Sequence, residues 1–379
     1  MITRNRSGPG PVNRGSERQP LRLGFVPVSD CAPVVFALES GLFDKYELPV
    51  ELRRETGWAA IRDKVIEGEL DAAHAPATLP FVTNLGIDSD RCACISGLVL
   101  SLQGNAITLS RQLWDDGVRE AATLRDRIYR HWRRRTYTLG VVFPYSPSYF
   151  VLRRWLIAGG IEPNTEIRIV TLPPAQLFPT LKLGYIDGFC AGEPWTSLAI
   201  EAQAGVCVAT SAELAPRHPE KVLMVRRDFA EERASEHERL IAALLEACAF
   251  CDRPENRPLL GEILAEPRYV NAPSNCFKGT FPTPPDNTPP ASSEPAILEV
   301  FHRQKANEPT DDKAAWLVAQ LYEIMESSLL KNLLPARAPV LKNIFRRDIF
   351  ERAQATVFDQ TIALRQEAEA YEARMSGPG

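Results

Sequence analysis

Strand-like and helix-like segments alternate along this chain, and the alternation occurs twice with the same punctuation. Leu21–Val26 reads as a strand, and Ser29 or Asp30 can cap a helix carrying Val35, Leu38 and Leu42 on one face. Leu48–Arg53 reads as a second strand. A helix over Trp58–Glu67 follows, with Ile61 and Val65 one turn apart and Gly68 as its stop. After Arg135 the same grammar resumes with strand Tyr137–Phe143, helix Pro147–Ala158, strand Glu166–Val170, helix Pro174–Leu183 and strand Ile186–Cys190. This order predicts an α/β fold with mostly parallel sheets.

One echo ties the two halves together. Gly68-Glu69-Leu70-Asp71-Ala72 recurs as Gly184-Tyr185-Ile186-Asp187-Gly188, 116 residues on (184 against 68), and each meets a proline soon after, Pro76 and Pro194. Two lobes of similar build are expected. Residues 21–105 with 221–379 make the first lobe, and 106–220 the second. The chain crosses near Asn105 and returns near Lys221, where KVLMVRRD reads as a strand. Residues 1–20 are expected to be a disordered tail, and the proline-rich stretch 280–295 a surface loop. Helices over Glu236–Phe250 and Asp311–Glu326 make the C-terminal third mainly helical.

Composition narrows the class. Hydrophobic residues at 45% and charged residues at 24% suit a soluble globular protein, and 379 residues exceed a typical single domain. A formal charge of −4 argues against general nucleic-acid affinity, which needs a clustered basic surface. No run approaches the roughly 18 apolar residues of a membrane-spanning helix. The first twenty residues hold four arginines and no apolar run, whereas an export signal carries an apolar stretch of roughly 7–15 residues. A cytoplasmic location is expected.

The eight cysteines are too sparse for a disulfide scaffold and mostly sit in apolar runs. The pairs Cys92/Cys94 and Cys248/Cys251 lack the matching second cluster of a metal site. The five histidines have no metal-ligand spacing, and no phosphate loop or G-x-S-x-G elbow is present. Neither an enzyme nor a cofactor is expected.

Two α/β lobes joined by two crossings leave a cleft, and ligands of such sheets bind at the carboxyl ends of strands. Gly57-Trp58 opens a helix after the second strand, Asn105 precedes the first crossing, and Lys221 follows His218-Pro219-Glu220 at the return. An indole N–H, an amide and an ammonium supply donors with little expected acceptor competition, which suits a small oxyanion. His74 reads as a satisfied core histidine, and Arg125–Arg135, with Tyr129 and Trp132 interleaved, as a solvated helix face.

The stretches GWAAIRDKVIEGELDAAHAPATLP, GNAITLS, VVFPYSPSYFVLRRWLIAGGIEP, YIDGFCAGEPW, HPEKVLMVR and RPENRPLLGEIL resemble the nitrate- and bicarbonate-binding proteins of ABC transporters. The resemblance runs in order over roughly 21–350. Within that family it is nearest to the cytoplasmic nitrate/nitrite sensors of NasS type, which also carry Asn at the position of Asn105. The resemblance implies the type II periplasmic-binding-protein clamp with a helical C-terminal extension. It implies Trp58, Asn105 and Lys221 as ligand residues, with Gly57 and Glu193 as further candidates, the latter through a metal held by bicarbonate-binding relatives. A helix-start role for the Glu193 carboxylate is the alternative.

The pattern departs at Ser148. The family usually has Thr-His there, and this chain has Pro147-Ser148-Tyr149. A serine donates one hydrogen bond but carries no charge, a loss of about 1–2 kcal/mol. The expected function is a nitrate/nitrite sensor that controls an RNA-binding antiterminator of nitrate-assimilation genes. The binding component of a nitrate, bicarbonate or sulfonate transporter is the first alternative, and a thiamine-pyrimidine-synthase-like enzyme the second.

Overall fold

The computed structural model describes residues 19–277, 299–326 and 341–357. The expected tail through residue 18 and the proline-rich stretch lie outside them. The first sheet holds β1 (Leu21–Phe25), β2 (Val50–Arg54), β3 (Ala72–Pro76), β4 (Cys94–Ile95) and β5 (Val99–Leu102). The second holds β6 (Asn105–Ser110), β7 (Thr138–Val141), β8 (Arg168–Thr171), β9 (Gly188–Gly192) and β10 (Gly205–Thr210). The chain then returns to the first sheet as β11 (Pro219–Arg226). Strand order is β2-β1-β3-β11-β4 with β5 beside β11, and β10-β6-β9-β7-β8.

The sheets are mixed rather than mostly parallel, which corrects the expectation. β1, β2 and β3 run parallel, as do β7, β8 and β9, but β11 and β6 run against their neighbours. The reason is the crossing itself. A strand arriving from the other lobe starts at the cleft and runs away from it, while the local parallel strands end there. Asn105, first in β6, therefore pairs with Gly192, last in β9. Lys221, near the start of β11, pairs with Pro76, last in β3. Asn105 thus belongs to the second sheet and Pro219 to the first, with Gln103–Gly104 between β5 and β6.

The two halves repeat in register. Leu23 pairs with Ala72, and 116 residues on, Leu139 pairs with Gly188. Beneath each pair an aspartate does the same work. Asp71 accepts from Arg22 N at 2.9 Å and Asp187 from Thr138 N at 2.7 Å. The preceding helices, Trp58–Glu67 and Pro174–Lys182, lead to left-handed glycines, Gly68 (φ 77°) and Gly184 (φ 74°), where a side chain would strain the backbone.

Buried aliphatic residues from β1, β3, β5 and β11 share one cluster with the Ala234–Cys251 helix, and a second cluster joins β6 and β7 to the Pro147–Ala158 helix. Among the described residues no helix is long and apolar enough to cross a membrane.

Candidate functional site

The three cleft residues picked from sequence meet around one ammonium. Lys221 Nζ lies 5.3 Å from the Trp58 ring centroid, 2.6 Å from Asp30 Oδ2 and 2.7 Å from Glu220 Oε1. The other Glu220 oxygen accepts from Asn105 Nδ2 at 2.6 Å and faces His218 Nε2 at 3.0 Å. His74 Nε2 is 2.9 Å from Asp30 Oδ1, and its ring sits 5.4 Å from that of Trp58. Asn105 belongs to the second sheet and Glu220 to the first, so their bond ties the lobes together. Ser29 N adds a second tie, donating to Glu193 O at 2.7 Å.

Acceptors here are plentiful, contrary to the expectation of little competition. Each strand end brings its own: Asp30 follows β1, and Glu220 precedes Lys221 in β11. Burial pushes the Asp30 carboxyl up, but Lys221 and then His74 overcome this and bring it down to about 2. Burial likewise opposes ionisation of Glu220, and Lys221 and His218 more than reverse it. Burial works against the Lys221 charge, yet Asp30 and Glu220 hold its pKa above the ordinary lysine value. Burial lowers His74 despite Asp30. The result is a buried charge centre with one ammonium between two carboxylates.

Unused donors lie at the cleft ends of the first lobe. An ammonium has three N–H groups, and the two carboxylates take two. Trp58 Nε1, Thr78 Oγ1 and Ser101 Oγ are buried and, among the described residues, lack hydrogen-bond partners. Ser101 stands opposite Lys221 in register, and Thr78 follows β3 two residues past Pro76. Orphaned buried donors are costly unless something fills them. A small oxyanion would.

Among the described residues, no hydrogen bond or ion pair joins the remaining candidates to the ammonium. Ser148, wholly buried at the start of its helix, shares a 2.8 Å hydrogen bond with Ser146 Oγ. The Glu193 carboxylate accepts from Ser197 N and Ser197 Oγ, both at 3.0 Å, a helix-start role, and burial raises it to about 7 against those bonds. Gly57 caps the Trp58 helix in extended conformation, and an added Cβ would meet nothing within 4 Å.

Sequence reasoning missed Asp30 and Glu220 and left His74 in the core. The sequence offers Asp30 as a cap, but no side chain caps that helix turn. The adjacency of Glu220 to Lys221 was the available signal. Among the described residues no group of three or more His, Cys, Asp or Glu could hold a metal.

Residues 14–265 match the NMT1-like family. The chain belongs to that family. A nitrate import ATP-binding protein of Synechocystis sp. is 35% identical over 342 residues, covering 89% of this chain and 50% of the relative. A bicarbonate transport ATP-binding protein of the same organism is 41% identical over 262 residues, 69% of this chain and 39% of the relative. The chain therefore spans about half the length, or less, of these curated relatives. The crystal structure of the periplasmic nitrate-binding protein NrtA from Synechocystis superposes with a TM-score of 0.79 at 26% identity, covering 89% of each chain. This NMT1-like chain has the periplasmic-binding-protein fold, and the transporter resemblance holds at the level of that family.

Proposed function

We propose that this chain binds a small trigonal oxyanion between its lobes, with nitrate as first candidate. The observation that carries the reading is the set of buried, unpartnered donors Trp58 Nε1, Thr78 Oγ1 and Ser101 Oγ at the cleft ends of the first lobe, with the Trp58 ring and Ser101 beside Lys221. The relatives named for nitrate and bicarbonate import support it. Bicarbonate is the second reading, and the surplus of acceptors favours it: a ligand bringing its own O–H can donate to Asp30 or Glu220, which nitrate cannot. Isothermal titration with nitrate, nitrite, bicarbonate and an alkanesulfonate tests both. Absence of binding below millimolar for all four would remove the oxyanion assignment.

Beyond binding, we propose a sensing role in the cytoplasm. A ligand that prefers lobes tied through Asn105–Glu220, and a partner that prefers them apart, are linked by necessity, and about 1–3 kcal/mol of coupling makes a usable switch. The proposed partner is an RNA-binding antiterminator released when ligand closes the clamp, as the NasS-type resemblance implies. Affinity capture from cell extract with and without nitrate separates the roles. Recovery of a permease or ATPase instead would make the chain a transporter's binding component.

A further inference from the structure

Glu299 and Val300 lie at the crossing between the lobes. Leu102 and Val300 form an antiparallel bridge, with Leu102 N donating to Val300 O at 2.8 Å. That bridge lays Glu299 across Gly104: a Cβ there would stand 2.5 Å from Glu299 Cγ and 3.3 Å from Oε1, and Gly104 has φ 99°. Ser29 Oγ donates to Glu299 Oε1, and Ser29 adjoins Asp30 in the chain. The side chain is 1% exposed, and Oε2 is buried without a partner among the described residues.

Three carboxyl groups, those of Asp30, Glu220 and Glu299, thus gather near one ammonium. The groups that feel Glu299 are Asp30 and Cys31 after β1, Lys221 in β11, Glu193 after β9, Cys251 ending its helix and Arg257 opening the next. Arg303 reaches only its backbone carbonyl, at 3.5 Å. Burial, and then the charge of Asp30, hold the Glu299 carboxyl well above the usual carboxylate range.

We propose that Glu299 is a selectivity-determining residue of the cleft, the group whose proton decides whether the pocket admits an anion. The inference rests on the oxyanion reading above. With its proton, Glu299 adds no charge and leaves an Oε2–H donor free. Without it, a third negative charge stands beside the anion's place and the donor is gone. At an effective dielectric near 20, a like charge within about 10 Å costs roughly tenfold or more in affinity.

The test is titration of nitrate, which stays a monoanion throughout, into the full chain as pH is raised from about 6 to about 10. Wild type, Glu299→Gln, Ser29→Ala and Glu193→Gln are compared. Wild-type affinity is expected to fall about tenfold or more across the range. Glu299→Gln, which keeps shape and a donor but cannot ionise, should bind with a flat profile. Ser29→Ala removes a bond that favours the ionised form and should move the wild-type profile to higher pH. Should Glu299→Gln fail to fold, the Ser29→Ala shift decides alone. A flat wild-type profile, a Glu299→Gln profile like wild type, or a fall abolished by Glu193→Gln alone overturns this inference and leaves the oxyanion site standing. No oxyanion binding by wild type at any pH removes both.

Discussion

The two lobes share a floor and differ at the cleft. In the first, β1 and β3 pair Leu23 with Ala72 above Asp71. In the second, β7 and β9 pair Leu139 with Gly188 above Asp187, each partner 116 residues on. At the cleft ends the same offset sets Asp30 against Ser146 and His74 against Cys190. The first lobe holds an ion-paired centre there. The second presents Ser146, bonded to Ser148. Lobe architecture depends on the aspartates that close each floor, while charge is placed where strand ends can neutralise it. Only the first lobe has Lys221 to do so, delivered by the returning strand β11.

The strongest way to break this contrast is to remove the ammonium. Lys221→Met leaves Asp30 and Glu220 buried without their cation, and is expected to destabilise by about 3–5 kcal/mol and abolish oxyanion binding. Urea unfolding and titration calorimetry measure the two effects, and a stable variant that still binds would dissolve the charge-centre argument.

The floors make a paired control. Asp71→Ala and Asp187→Ala are each expected to cost about 1–3 kcal/mol, because each removes the acceptor for the neighbouring strand's backbone N–H. A large cost in one lobe alone would break the equivalence.

Acid titration should split the lobes in sign. Asp30 is depressed to about 2 from its ordinary 3.8, so its stabilisation is complete above 3.8 and lost as pH falls through about 2. Glu193 is raised to about 7 from 4.5, so the folded state holds an extra proton between those values. Its contribution to stability therefore falls as pH rises from about 4.5 to about 7. Unfolding curves from about pH 2 to about pH 7 should each lose one slope, of opposite sign: Asp30→Asn the acid one below 3.8, Glu193→Gln the one between 4.5 and about 7.

Smaller effects test the donors. Trp58→Phe keeps the ring and deletes the indole N–H, with an expected loss of about tenfold in affinity and little change in melting temperature. Ser148→Ala should cost under about 1 kcal/mol, since its hydroxyl is engaged by Ser146. A tenfold loss in affinity there would draw Ser148 into the ligand's contacts.

Much of the scaffold was legible because its causes are local. Apolar periodicity and end signals place the helices over Trp58–Glu67, Pro147–Ala158 and Asp311–Glu326, and the Gly-x-x-Asp echo anticipates two floors of one design. Strand direction was not legible, since β6 and β11 look like any buried strand until the crossing reverses them. Motif resemblance singled out Trp58, Asn105 and Lys221; adjacency marks Glu220 beside the lysine, but nothing local marks Asp30.

The chain's own pattern determined the repeated α/β units, their floors and the strand ends that supply candidate ligands, because periodicity and turn chemistry act over a few residues. Tertiary structure alone decided that Lys221 sits between Asp30 and Glu220, and that Glu299 reaches Ser29 across 270 positions of chain. Charge pairing depends on distance in space and on burial, and neither is written in the spacing of residues.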